Sequence, residues 1–296
     1  MKFARSARSD KHYSMDKRRS GAGGLKLRLM ILAIFLLVLI PGLDCRMKVV
    51  NYSLESDLIS SHVRVALITD LHSCRYGKGE KDLIEAIDEQ APDIILLGGD
   101  IFDDKLSNDN AEAFIRGISG RYPVYYVTGN HEYWSDEDKY RDQMEILDDC
   151  GVIRLQGQTD SIEINGNMIT IAGVNDPDAF YKNETGALDG QLEAVSDDLP
   201  EDTYNILLSH RPELFETYSL LGFDLVLTGH AHGGQWRIPG LVNGVLAPNQ
   251  GLFPEYAGGL YQSGVMTMIV SRGLARESTP VPRLYNRPEL VIIDIE

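Results

Sequence analysis

The sequence predicts an α/β body with more than one sheet, preceded by one membrane-directed helix. Two patterns in the body and one ahead of it carry that prediction. Up to Gly151, short apolar runs alternate with helical segments of about ten residues, the mark of β-α-β units and buried sheet. Beyond Gly151 the strands come closer together and include a hairpin. Residues 29–40 (LMILAIFLLVLI) are twelve uninterrupted apolar residues.

That run extends to fifteen residues with Pro41, Gly42 and Leu43, and further if Lys26 and Arg28 snorkel. It then approaches the ~17–25 residues that span a bilayer. No polar face interrupts it and nine Lys/Arg precede it, which argues against a buried core helix. No A-x-A pattern follows, the acid before Cys45 fits a lipoprotein site poorly, and Arg18-Arg19 lacks the apolar pair of a twin-arginine signal. The reading is a retained single-pass anchor over residues 25–43, with a basic tail over 1–24 and a linker or short strand over 44–62. Nine basic residues before the run against two just after it (Arg46, Lys48) place the body outside the cytoplasm.

The body then runs from 63 to 296. Residues 63–69 (VRVALIT), 93–97 (DIILL) and 123–127 (PVYYV) read as buried strands. Helical spacing fills 80–89, 111–118 and 140–149. Residues 161–165 and 168–172 form the predicted hairpin about Gly166-Asn167. Further strands are expected at 204–208, 224–227, 265–270 and 290–293, with a helix after Pro212.

Charge narrows the partners. Residues 1–48 hold eleven Lys/Arg against three acids, whereas the remaining chain holds 17 against 41. So acidic a body repels a nucleic-acid backbone, while the basic head suits anionic lipid headgroups. Cys45, Cys74 and Cys150 are odd in number and widely spaced, suggesting neither a disulfide framework nor a zinc site.

Polar residues of metal-binding type follow five predicted strands: Asp70-Leu71-His72-Ser73, Gly99-Asp100, Gly129-Asn130-His131-Glu132, Ser209-His210-Arg211 and Gly229-His230-Ala231-His232-Gly233-Gly234. In open α/β sheets, ligands bind beyond the carboxyl ends of strands, so these clusters can converge. Five of the seven histidines lie in them. Any one cluster alone would pass for a turn or a core histidine. Five in register are hard to explain structurally, because buried carboxylates and imidazoles need partners and metal ions supply them. Oxygen and nitrogen ligands suit Mn²⁺ first, or Fe, Zn²⁺ or Mg²⁺. The surplus of ligands suits two divalent ions sharing one carboxylate.

The order D-x-H, G-D, G-N-H-E, a lone H, then G-H-x-H resembles the calcineurin-like metallophosphoesterases. D-L-H-S, G-H-A-H-G-G and residues 247–261 (APNQGLFPEYAGGLY) resemble their membrane-associated bacterial branch. The resemblance implies a four-layer α-β-β-α sandwich, the metallo-dependent phosphatase fold. It implies Asp70, His72 and His232 on one metal, Asn130, His210 and His230 on the other, and Asp100 bridging both. His131 would stand beside the metals and serve the leaving oxygen, with a hydroxide shared by the ions as attacking group. The implied activity is hydrolysis of a phosphoester or phosphodiester on a small-molecule, lipid or cell-wall substrate. One alternative is pyrophosphate cleavage in a lipid-linked sugar nucleotide of the UDP-diacylglucosamine type, which sits poorly with an outward-facing body. A non-catalytic metal-binding module is the other, disfavoured because all eight motif positions are intact.

Arg75, Tyr76, Arg211 and Arg237 flank the motifs as candidates for substrate oxygens, against a plainer reading as loop residues. Trp236, Phe253 and Tyr256 offer an apolar wall, with core packing an equal possibility. Cys74 has no neighbouring base in the sequence and reads as incidental.

Overall fold

The computed structural model describes residues 19–182, 187–276, 278 and 281–296, so most of the basic tail over 1–24 lies outside the described residues. The chain divides into two units, residues 1–42 and 43–296.

The first unit contains α1 (Arg19–Gly42). Its stretch Gly24–Gly42 is the one helix among the described residues long and apolar enough to cross a membrane. At 1.5 Å per residue, 19 residues reach about 28 Å, close to the hydrocarbon thickness of a bilayer. Large apolar side chains along it, Leu37 and Ile40 among them, are exposed.

The second unit opens with β1 (Lys48–Leu54), inside the segment expected to link anchor and body, then β2 (Val63–Ile68). Next come α2 (Lys81–Gln90), β3 (Ile94–Gly98), α3 (Asp109–Ile118), β4 (Val124–Val127), α4 (Asn130–Trp134), α5 (Glu137–Asp149) and β5 (Ile153–Arg154). The second half holds β6 (Gln158–Ile164), β7 (Asn167–Gly173), α6 (Asp178–Lys182), α7 (Leu188–Asp197), β8 (Tyr204–Leu208), α8 (Phe215–Tyr218) and β9 (Leu225–Thr228). It closes with β10 (Leu246–Ala247), β11 (Gly251–Leu252), β12 (Gly259–Ser263), β13 (Met266–Val270) and β14 (Glu289–Ile295).

Two six-stranded sheets result, ordered β1-β14-β2-β3-β4-β5 and β12-β13-β9-β8-β7-β6, beside a small β10-β11 ribbon. Strands β2, β3 and β4 run parallel, as do β7, β8, β9 and β13. Period-two alternation sends Val65 and Leu67 of β2 one way and Ala66 and Ile68 the other. The first pair joins Ile206, Leu208, Leu225 and Leu227 in a core between the sheets. The second pair joins Leu83, Phe114 and Leu147 of the flanking helices. On the far side, Leu207 and Val226 pack against Leu192, Val195 and Phe215. Helix, sheet, sheet and helix therefore stack as four layers, the arrangement the resemblance implied. Each fully buried Leu or Ile in such a core contributes roughly 1.5–3 kcal/mol of transfer free energy.

The hairpin β6–β7 turns one residue earlier than expected. Ile164 pairs with Asn167, and Asn165-Gly166 is the two-residue loop, with φ of 53° and 81°. Positive φ at both positions is the type I′ requirement, which Asn-Gly meets with least strain.

Candidate metal centre

The parallel strands deliver all five clusters to one place, because each ends its strand at the same edge of the paired sheets. The ends of β2 and β3 bring Asp70, His72 and Asp100 together, and those of β8 and β9 bring His210 and His230. Asp70, His72, Asp100 and His232 present ligand atoms all within 4.8 Å of one another. Asp100, His210 and His230 form a second such group, and His72, Asp103 and His131 a third. Asp100 is common to the first two, with Oδ2 3.5 Å from His72 Nε2 and 3.1 Å from His210 Nε2. Asn130, at the N-terminus of α4, is buried beside them.

The backbone is bent for this purpose. Asp70, His72, Asp100, His230 and His232 all adopt left-handed φ between 48° and 63°. Such conformations cost non-glycine residues on the order of 1–3 kcal/mol each and concentrate at functional sites. Gly129 makes room: a Cβ there would lie 2.2 Å from Asp100 Oδ1. Gly273, with φ of +68°, similarly backs onto Asp70, its added Cβ falling 2.5 Å from the aspartate's Cβ.

An outer ring of polar partners sets which nitrogen of each histidine turns inward. His210 Nδ1 lies 2.8 Å from the Gly98 carbonyl, so it donates there and leaves Nε2 for the cluster. Asp103 takes Nδ1 of His72 at 3.2 Å, and Asp104 takes Nδ1 of His131 at 2.7 Å. Asn249 Oδ1 accepts from His230 Nε2 at 2.8 Å, turning Nδ1 toward His210 Nε2, 3.2 Å away. Glu132 accepts from the amides of Gly129, Asp100 and Phe102, tying the loops after β3 and β4 together.

Charges are strongly perturbed. Burial raises the Asp70 carboxyl, assisted by the charge of Asp100 and opposed by His210 and His72. For Asp100 burial is outweighed by His210 and His72, which hold it well below the usual carboxylate range. Burial disfavours a charged His210, yet Asp100 wins and pushes it up to about 10. Burial, with His210 and Arg211 close by, drives His230 well below the ordinary imidazole range. Acids and imidazoles are thus packed more tightly than their own hydrogen bonds can satisfy. Among the described residues, His72 Nε2, Asp100 Oδ2, Asn130 Oδ1 and His232 Nδ1 are buried without a hydrogen-bond partner. Such groups cost free energy unless something satisfies them, and divalent cations fit this donor set of oxygen and nitrogen.

The secondary candidates divide. Arg211 is buried next to the cluster, bidentate on Asp176 at 2.5 and 2.8 Å, with Nη1 3.0 Å from His230 Nε2. Tyr76 is buried and its hydroxyl donates to the Leu274 carbonyl, which corrects the expectation that it meets substrate. Arg237 Nε donates to the Asn243 carbonyl, and Arg75 Nε donates to the Gly77 carbonyl. Tyr256 packs against Phe215 in the core, whereas Trp236 and Phe253 are exposed. Cys74 is buried in the core around α2 and α3. Sequence reading missed Asp103, Asp104, Asp176 and Asn249. The signal for Asn249 lay in the stretch 247–261, where a polar residue sits between Pro248 and Gly251.

The chain is similar to several known proteins. The most similar relatives include an uncharacterized metallophosphoesterase, Cj0846, of Campylobacter jejuni, 28% identical over 92% of this chain and 69% of its own. The uncharacterized metallophosphoesterase YkuE of Bacillus subtilis is 27% identical over 83% of this chain and 84% of its own. A phosphodiesterase, YaeI of Escherichia coli, is 28% identical over 78% and 82%. Among solved structures, the sulfate thiohydrolase SoxB of Thermus thermophilus covers 77% of this chain at 13% identity and a TM-score of 0.47; this chain spans about half of its length, 53%. The family model described as calcineurin-like phosphoesterase matches residues 63–234, the span that carries all five motif clusters. The chain belongs to the calcineurin-like phosphoesterase family and is a hydrolase of the metallophosphoesterase type.

Proposed function

We propose that this chain hydrolyses a phosphoester or phosphodiester with two divalent cations, held by Asp70, His72, Asp100 and His232 on one side and Asp100, Asn130, His210 and His230 on the other. The observation that carries the reading is the convergence of Asp70, His72, Asp100 and His232, and of Asp100, His210 and His230, each group with its ligand atoms within 4.8 Å of one another and His72 Nε2 left without a hydrogen-bond partner. Bound divalent cations would supply positive charge to phosphate oxygens and acidify water at the site.

The remaining work falls to the chain itself. Asp103, the Gly98 carbonyl and Asn249 keep the inward nitrogens of His72, His210 and His230 unprotonated when cations occupy the cluster. Asp104 holds the Nδ1 proton of His131, leaving Nε2 as the atom that passes a proton to the departing oxygen. Arg211, held by Asp176, Asp178 and Asn249, keeps its positive charge beside His230, where it favours an anionic substrate. We further propose Mn²⁺ as the preferred ion, membership of the membrane-associated bacterial branch, and single-pass anchoring by α1 with the body outside the cytoplasm. The apolar length of α1 and the basic residues ahead of it support the last.

The test is the full chain in vesicles, loaded with Mn²⁺, assayed on a nitrophenyl phosphomonoester and on the bis-ester. Turnover of either, lost on chelation and restored by the ion, is expected. A protein that takes up divalent ions yet cleaves neither ester would sink the catalytic reading.

A further inference from the structure

The segment between the last motif and β12 is where the body departs from ordinary surface chemistry. Trp236, Ile238, Leu241, Leu246, Leu252 and Phe253 are all exposed, Leu241 at 83% and Phe253 at 67% of full accessibility. They stand on one connected element. Ile238 bridges to Val242, Leu246 pairs across the ribbon with Leu252, and Phe253 N donates to the Val245 carbonyl. Leu246 and Leu252 are direct cross-strand partners and so share a face. Phe253 is held at a φ of 56°, an uncommon conformation for a bulky side chain. Contiguous exposed apolar surface of this kind marks an interaction site.

Three features identify lipid as the occupant. First, the same edge of the body receives the chain from α1. Trp236 and Arg237 pair with Leu284, and three residues further on Arg287 donates to the carbonyls of Arg46 and Met47. Between α1, which ends at Gly42, and β1, which begins at Lys48, the five intervening residues reach at most about 17 Å. Second, the rim is basic in an acidic body. Leaving aside the buried Arg283, residues 44–48, 236–258 and 281–288 hold Arg46, Lys48, Arg237 and Arg287 against Asp44 and Glu255, which suits anionic headgroups. Third, the element is continuous with the metal centre. The turn between β10 and β11 carries Asn249 to His230, and Asn286 Nδ2 donates to the carbonyls of His232 and Gln235.

Resting on the anchoring read from α1, we infer that residues 236–253 dock into the bilayer and seat the metal centre at the headgroup layer. Substrates whose phosphate lies at the lipid surface then meet the cations without leaving the membrane, and Trp236 sits where indoles prefer to lie, between headgroup and acyl chain.

The chain has two tryptophans, Trp134 and Trp236, so Trp134→Phe leaves Trp236 as the single reporter. The full chain is reconstituted in phosphatidylethanolamine–phosphatidylglycerol vesicles whose acyl chains carry bromine near the headgroup. Docking predicts loss of most Trp236 emission in brominated vesicles, a blue shift in unbrominated ones, and shielding from acrylamide in water. Should Trp134→Phe fail to fold, Leu252→Trp in the otherwise unchanged chain adds an indole whose quenching is read by difference. Vesicle-bound protein with Trp236 unquenched by bromine and open to acrylamide overturns the inference. Shielding from both quenchers together with cross-linked dimers also overturns it, naming a second copy as the occupant. Protein that stays out of the vesicles removes the anchor and the bilayer with it. None of these readouts involves ester hydrolysis, so loss of the catalytic reading is scored separately.

Discussion

Asn249 Oδ1 lies 2.8 Å from His230 Nε2 and accepts Arg211 Nη1 at 2.6 Å. One amide oxygen thereby fixes the ring of a proposed metal ligand and the guanidinium beside it. Outer partners of this kind are worth about 10–100-fold in metal affinity or activity. Asn249→Ala is expected to weaken one of two ions by that factor, read by chelator competition. Asn249→Asp keeps the acceptor and should recover most of the affinity.

Asp100 touches histidines of both groups, whereas His131 has its Nδ1 held by Asp104 at 2.7 Å. Asp100→Asn should therefore lower metal content and abolish turnover together. His131→Asn should leave the ions in place and slow turnover by about 10²–10⁴, the usual contribution of a proton-transfer group. Metal analysis of the two purified variants checks both. An empty His131→Asn protein beside a fully loaded Asp100→Asn protein would reverse the assignments.

Gly129 leaves no space for a side chain, since an added Cβ meets Asp100 Oδ1 at 2.2 Å and the Asp100 amide nitrogen at 2.6 Å. Gly129→Ala must push Asp100 out of position, with lower metal content and a lower melting temperature as the expected result. Gly190 in α7 meets nothing within 4 Å. Gly190→Ala should be neutral or add up to about 1 kcal/mol, because alanine suits a helix and restricts the unfolded chain. Thermal melts of both variants compare the two outcomes.

Asp294 accepts Arg64 Nε at 2.7 Å and lies 2.8 Å from His62 Nε2. Burial opposes its charge, yet Arg64 and His62 hold the carboxyl below the usual value. A carboxyl lowered in the folded state stabilises fully above the ordinary aspartate pKa of about 3.9, and that contribution fades as pH falls through the folded value. Solvent screens the pair, so about 1 kcal/mol or less is at stake. Urea unfolding of wild type and Asp294→Asn should differ at pH 7 and converge in acid below the carboxylate range.

Much of this molecule could be read from its residues. The strands that carry the proposed ligands are short and apolar, and glycine closes β3, β4 and β9, so period located all of them and punctuation three. The proposed ligands themselves fell at strand ends, where β-α-β geometry places binding residues. Asp103 and Asp104 escaped because an acid five or six residues past a strand looks like any solvated loop residue. Only the fold shows them against His72 and His131. β1 was legible only as a linker or short strand, because it lies at a sheet edge with some of its residues exposed and its run is not continuously apolar. Tyr76 misled through proximity in sequence, since the chain turns its ring into the core immediately after the motif. The exposed ribbon at 246–252 gave no periodic signal, having only two residues in each strand.

β14 lies between β1 and β2, pairing in parallel with one and antiparallel with the other. Hydrogen bonding along that side of the first sheet waits for a segment made more than two hundred residues after β2. Contacts so distant in sequence close slowly, and the earliest part of the chain emerges from the ribosome first. On the proposed anchoring, α1 would reach the membrane while the body is still an open polypeptide, the form in which a chain can be threaded across a bilayer.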